Sequence, residues 1–244
     1  MKRFLSLSLA VLMLLSFAAC GESKRSSKKD KTDNTTEAMA TETETEITTE
    51  SGTYPQPTTL PPANTDDVSL GVIGDTYYEN EYFGFGVQVP SDWKTCTASE
   101  TAALNDTSLS TFENDPESIL SNKDFVYAFQ SNDTVNNNTV YVSVESLKAK
   151  GASGLSAPLY LQNVGNGYVE TLNNAGVTDI DKDISIVEIN GSIYDYCTLA
   201  WEMNGINVIA VFIAIPTEDY MAAISFNVYD ADDFGYLEDY IYSL

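Results

Sequence analysis

Two Asn-Gly dipeptides constrain this chain more than any other feature. Asn190-Gly191 and Asn204-Gly205 separate apolar, β-branched runs at 184–189, 193–203 and 206–215, and a fourth run follows at 220–229. Asn-Gly accepts the successive positive φ angles of a tight two-residue hairpin, so neighbouring runs are expected to pair antiparallel in a meander. The run 206–215 is apolar on both faces apart from Asn207, which predicts a central strand covered on both sides. At ten residues it is too short to span a bilayer.

The rest of the folded part reads around that meander. Phe85, Val87 and Val89 alternate as in a strand, Pro90 ends it, and Ser91-Asp92-Trp93 turns a large aromatic back toward the sheet. Segments 99–104 and 116–120 are expected as short helices capped by Ser99 and Asp115. Strands at 125–130 and 139–147 flank an Asn/Asp-rich loop, with Val140, Val142 and Val144 on one face and Tyr141, Ser143 and Glu145 on the other. The main helix is predicted over 157–175, with Ser156 as cap, Pro158 in the first turn and Gly176 beyond its end. Leu161, Val164, Tyr168, Leu172 and Ala175 form its buried stripe. Gly165 and Gly167 cost about 1 kcal/mol each relative to alanine and predict a kink. Asp232 is expected to cap a closing helix whose apolar face carries Phe234, Leu237, Ile241 and Leu244. Together these elements predict the α+β class: a twisted antiparallel β-sheet with a hairpin meander, flanked by helices.

The N-terminal 65 residues belong to different classes. Lys2 and Arg3 precede an apolar run from Phe4 to Phe17, then Ala18, Ala19, Cys20 and Gly21, which reads as a secretory signal. The small residues before Cys20 resemble the lipobox of bacterial lipoproteins, with Phe17 standing where leucine is usual. That resemblance implies a signal peptide at 1–19, acylation of Cys20, and more than one acyl chain for stable anchoring. Residues 20–65 are Thr-, Glu-, Ser- and Pro-rich without apolar period, the composition of a disordered tether able to reach about 150 Å at full extension. Lys24, Arg25, Lys28, Lys29 and Lys31 lie next to the lipid, where they would attract anionic head groups.

Charge narrows the partners of the domain at 66–244. The whole chain has no histidine, and its arginines, Arg3 and Arg25, both precede the domain. Within the domain five lysines face 28 carboxylates, a formal charge of −23. Such a surface repels phosphate, so nucleic-acid binding is excluded, and a protein partner met electrostatically should present basic groups. The same charge also serves solubility. Absence of histidine removes the commonest general base and metal ligand.

The order of pieces then becomes familiar. The opening Tyr78-Glu79-Asn80-Glu81-Tyr82-Phe83-Gly84-Phe85-Gly86-Val87, continuing through Pro90-Ser91-Asp92-Trp93, together with the mid-chain helix, the meander and a last helix, resembles the PsbP-like fold family, which includes exported lipoproteins of the DcrB type. The likeness spans residues 75–244. It implies a binding or accessory module rather than an enzyme, and it transfers no functional residue.

The remaining constellations are weak as chemistry. Asp179, Asp181 and Asp183 have calcium-loop spacing, but Ile184 and Asn190 stand where such a loop needs Gly and Glu, so they read as a solvated strand face or at most a weak cation site. Asp230, Asp232 and Asp233 form a second acidic knot that helix capping explains. Cys96 and Cys197 allow a disulfide, whereas the apolar neighbours Ile193, Leu199 and Trp201 on the Cys197 face favour a buried thiol. Tyrosines such as Tyr194 and Tyr196 are expected to pack between sheet and helix; exposed ones would suit glycan binding. The expectation is therefore a non-enzymatic, lipid-anchored extracytoplasmic module with no catalytic, metal or cofactor residues and Cys20 as its modified residue. Its lead partner is a protein with a basic surface. The alternatives are a small-ligand or glycan receptor and, behind it, a carboxylate hydrolase.

Overall fold

The computed structural model describes residues 67–203, 205–229 and 237–244. Its strands are β1 (Val72–Ile73), β2 (Tyr77–Asn80), β3 (Phe85–Gln88), β4 (Lys94–Thr95), β5 (Val126–Asn132), β6 (Thr139–Ser146), β7 (Asp181–Ile189), β8 (Ser192–Met203), β9 (Ile206–Pro216), β10 (Tyr220–Val228) and β11 (Ile241–Ser243). They build a four-stranded sheet ordered β1-β2-β3-β11 and a seven-stranded sheet ordered β4-β5-β6-β10-β9-β8-β7, antiparallel throughout. With helices α1 (Ala98–Leu104), α2 (Leu109–Asn114), α3 (Pro116–Asn122) and α4 (Ala157–Asn174), this is an α+β fold.

The meander forms as its turns dictate. Asn190 and Gly191 take φ of 50° and 85°, and Ile189 faces Ser192 across the turn. Gly205 is likewise left-handed, at 78°, between the paired Met203 and Ile206. On β9, Val211, Ile213 and Ile215 enter one core while Val208, Ala210, Phe212 and Ala214 enter another, the two-sided burial its composition predicts. The middle of the sheet is β10, buried at all nine positions.

The first core lies between the two sheets and is closed by α1, α2 and α3 through Ala102, Phe112, Ile119 and Leu120. Asn80 is its polar hinge. Fully buried, it donates from Nδ2 to Ser69 O and to the Tyr78 hydroxyl, both at 2.9 Å, and its Oδ1 accepts from Phe83 N. The Asn-x-x-Phe-Gly and Pro-x-x-Trp residues are thus packing devices: Trp93 N bonds Pro90 O, and the Trp93 ring lies 5.9 Å from Tyr240.

Several boundaries move. The cap of α1 is Thr97, not Ser99, and it forms a reciprocal capping box with Glu100 that holds that carboxyl below its usual range. Asp115 caps α3 as expected, while α2, capped by Ser108, is an additional helix. Helix α4 runs through Gly165 and Gly167 without interruption and leaves Ala175 exposed. The largest correction is at the C-terminus. Asp232 and Phe234 lie outside the described residues, but Leu237–Asp239 is a single 3₁₀ turn and Ile241–Ser243 is strand β11, not helix. Ile241 pairs with Val87 on the open edge of β3, and that ladder outweighs the weak helical period of the segment.

Candidate functional site

The second core lies under α4, and one glycine sets how closely the helix sits. A Cβ on Gly165 would stand 3.0 Å from the Cys197 sulfur and 3.2 Å from Lys182 Cδ, so a larger residue here would have to push both side chains aside for α4 to sit as closely on β8. From there the helix packs on β7, β8 and β9, with Leu161, Tyr168 and Leu172 in the core. The same face of the sheet continues past the helix flank onto β10, β6 and β5.

Along that continuation the side chains become small and polar. Ala214 lies opposite Ala223, Ala223 opposite Ser143, and Ser143 opposite Tyr127; in the adjoining row Phe212, Ser225, Tyr141 and Gln130 follow one another across four strands. Small residues thus form a strip of the sheet face between the flank of α4 and the Tyr127/Tyr141 pair, whose rings are 6.0 Å apart. Tyr168 closes one end. Its ring rests on Phe212 and Trp201 at 5.4 and 6.0 Å, and its hydroxyl reaches Asn227 Oδ1 at 3.5 Å. Asn227 Nδ2 in turn donates to Thr139 Oγ1 at 3.1 Å.

Polar accounting makes this strip unusual. Ser143, Ser225 and Tyr141 are only 5%, 3% and 6% exposed, yet no hydroxyl among them bonds another described residue. They are not sealed in either, because the wholly occluded, partnerless polar side-chain atoms among the described residues are Thr101 Oγ1 and Trp201 Nε1. Each of these hydroxyls therefore keeps enough contact with solvent for water to satisfy it. Burial pushes the Tyr127 phenol up to about 12 and that of Tyr168 far above its ordinary range. A smaller part of the Tyr168 shift comes from Tyr229, Tyr141 and Tyr127, which brings the four phenol oxygens within electrostatic reach of one another.

At the other end stands an ion pair. Glu145, next on the Ser143 face of β6, accepts from Lys150 Nζ at 2.6 Å and from the Tyr160 hydroxyl at 2.5 Å. The side chains of the pair are 12% and 10% exposed. Lys150 is held there by its loop: Leu147 N and Lys148 N donate to Asp219 O, and Ser153 Oγ donates to Asp219 Oδ1. Outside this strip, Lys148 and the Tyr220 hydroxyl share Glu117 Oε1 at 2.6 and 2.9 Å, holding that carboxyl below its usual range.

The residues singled out from sequence lie elsewhere. Asp181 and Asp183 are exposed on one side of β7, Asp179 precedes the strand, and among the described residues no three or more Cys, Asp or Glu converge as a metal set. Cys197 is a buried free thiol that burial pushes up to about 11. Tyr194 and Tyr196 pack on the first core, on the sheet face away from α4. Cys20 and the knot at Asp230, Asp232 and Asp233 lie outside the described residues. Sequence reasoning missed Ser143, Ser225 and Asn227. The available signal was polar alternation on β6 and β10 opposite apolar faces, which is equally the pattern of a solvated sheet.

No protein-family profile matches the chain. No curated protein does so either. Among solved structures, a crystal structure from Bacteroides thetaiotaomicron is similar over 66% of this chain at 12% identity and a TM-score of 0.31; the chain spans 45% of that protein's length. So distant a likeness carries no argument.

Proposed function

We propose that this chain is a lipid-anchored, extracytoplasmic, non-catalytic binding module that takes a small polar ligand in a trough along this strip beside α4. The observation that carries this reading is the set of hydroxyls on the nearly buried Tyr141, Ser143 and Ser225 that bond no other described residue yet are not fully occluded. A merely structural sheet face would spend such groups on each other or present them fully to water. The reading promotes the receptor alternative over the protein partner. The domain's −23 charge still favours a basic protein as a second reading, with a PsbP-like accessory role.

Two experiments test the proposal. For the anchor, Cys20→Ala should leave the protein unacylated and shift it from the membrane fraction to the medium or to an unprocessed precursor; acylation and processing as in the parent would refute the anchor. For the site, the detergent-solubilised mature chain is screened by thermal shift against saccharides, amino acids, polyamines and quaternary ammonium compounds. A compound should raise Tm in the parent and lose most of that effect in Ser143→Ala/Ser225→Ala. A binder indifferent to both serines would refute the site.

A further inference from the structure

We infer that β7 is a docking edge for a second copy of this chain: two β7 strands pair antiparallel about a two-fold axis at Ser185 and join the seven-stranded sheets of two molecules. This edge lies across the sheet from Tyr127 and Tyr141, so the interface stands apart from the ligand reading above.

Edge strands are normally blunted by shortness, proline, a bulge or a covering element. β7 closes the order of its sheet, keeps unbroken register with β8 over nine residues, and contains neither proline nor glycine. Among the described residues, no backbone group of 181–188 bonds outside the β7–β8 ladder. The remaining guard is the charge on Asp181, Lys182, Asp183 and Glu188, and its order suits a copy of itself.

The hairpin decides which backbone groups are free. In a two-residue turn the closing pair exchanges both hydrogen bonds, so Ile189, opposite Ser192, and with it Val187, Ser185, Asp183 and Asp181 spend their groups on β8. Lys182, Ile184, Ile186 and Glu188 aim theirs outward. A second β7 must therefore set these alternate positions against one another. With the axis at Ser185 the whole strand overlaps, Lys182 faces the partner's Glu188, and Ile184 faces the partner's Ile186. No like charges meet, because Asp181 and Asp183 fall opposite the partner's Ile189 and the partner's Val187. An axis at Asp183 would set that carboxylate against its own copy. Axes at Ile184 or Ile186 would leave Lys182 facing an isoleucine or an asparagine.

The surroundings permit this pairing. Lys182 already donates to Asn166, and its ammonium has further donors for a carboxylate. Ile184 is half-buried and Ile186 exposed, and the new ladder would cover both. Helix α4 packs mainly over β8 and β9, with β7 at its margin. Its two copies would stand at least three strand spacings apart, about 14 Å, beyond the roughly 8–10 Å of close helix packing. Repulsion between two domains of −23 opposes the contact, but at physiological ionic strength it is screened beyond about 8 Å.

The test is disulfide trapping in cells that express the full chain. Ser185 would meet its own copy in a non-hydrogen-bonded pair with Cα atoms about 4.5 Å apart, within disulfide range. Under mild oxidation Ser185→Cys should give a linked dimer well above the background of the parent, whose described cysteines are Cys96 and the buried Cys197. Asp183→Cys, its copies about 14 Å apart along the strands, should stay at that background. Added to Ser185→Cys, Glu188→Lys or Lys182→Glu sets like charges face to face at both ends of the ladder and should cut the dimer at least about fivefold. Coexpressing the two charge variants restores opposite charges at both ends and should recover it. If Lys182→Glu fails to accumulate, Ile186→Pro, which removes an outward N–H and spares the β8 ladder, should abolish the dimer. A yield no higher than the parent's, a dimer indifferent to the charge variants, or capture of Ser185→Cys on a different protein overturns the inference. None of these results bears on the ligand screen, so the two readings fail separately.

Discussion

Lys150→Met should destabilise the domain by about 3–5 kcal/mol, far more than loss of an ordinary surface lysine. The size follows from where its partner is left. Glu145 is 7% exposed and enclosed between β6 and the first turns of α4; without Lys150 its carboxylate keeps only the Tyr160 hydroxyl. A desolvated anion with half its donors removed is the costly case, because the dehydration cost remains while the attraction that offset it is gone. The exposed Lys123–Asp106 pair, at 3.7 Å, should by contrast contribute next to nothing. The triple variant Glu145→Leu/Lys150→Met/Tyr160→Phe removes charge and hydroxyl together and should recover most of the loss. Urea unfolding of the three proteins checks this. A Lys150→Met penalty under about 1 kcal/mol would mean that water reaches Glu145 and that the end of the trough is open.

That pair also shows how much of the site was legible. Glu145 alternates with Ser143 and Tyr141 opposite three valines, and the plain reading of such a strand is apolar-in, polar-out. Within β6 nothing contradicts it. What buries the polar face is β10, whose Ser225 and Ala223 meet Tyr141 and Ser143 across about 80 residues of sequence, and α4, which brings Tyr160 over Glu145. The pairing of β6 with β10 is a long crossover that no turn signal encodes, whereas β7, β8 and β9 are joined by hairpins whose Asn-Gly turns state their own geometry. Local turn chemistry is readable; distant register is not.

The same division explains the C-terminus. Leu237 and Ile241 fit a helical period, but a short amphipathic helix needs a face to bury against. Here β3 presents an unpaired edge that Ile241, Tyr242 and Ser243 complete. Tyr242 then covers Gly86, where a Cβ would stand 2.2 Å from its ring. The glycine is thereby explained from the far end of the chain, and the Phe-Gly-Val spacing around it signals only a strand.

Raising the pH from 10 to 12 should unfold the domain cooperatively, and buried tyrosines are the cause. Tyr78 is 0% exposed and Tyr160 is 5% exposed; burial holds both phenols, with that of Tyr168, well above their ordinary value near 10. For Tyr160 the adjacent Glu145 carboxylate adds to the rise. Tyr127 and Tyr242 are pushed up to about 12. In the unfolded chain all of them titrate near 10. A group whose folded value is raised contributes its full stability below the unfolded value and loses it as pH climbs toward the folded one. Tyr127 alone therefore withdraws about 3 kcal/mol between pH 10 and 12, and the fully buried phenols go on withdrawing stability throughout that window. Four such terms, from Tyr78, Tyr127, Tyr160 and Tyr168, together reach about 11 kcal/mol, comparable to the 5–15 kcal/mol that holds a domain of this size. Phenolate absorbance followed alongside far-UV circular dichroism should show exposed tyrosines ionising near pH 10 with the sheet intact. A second, steeper rise in phenolate should then coincide with loss of the dichroism signal. If every tyrosine ionised near 10 without structural change, the phenols beside α4 would be open to bulk water, and the trough would be an ordinary solvated face.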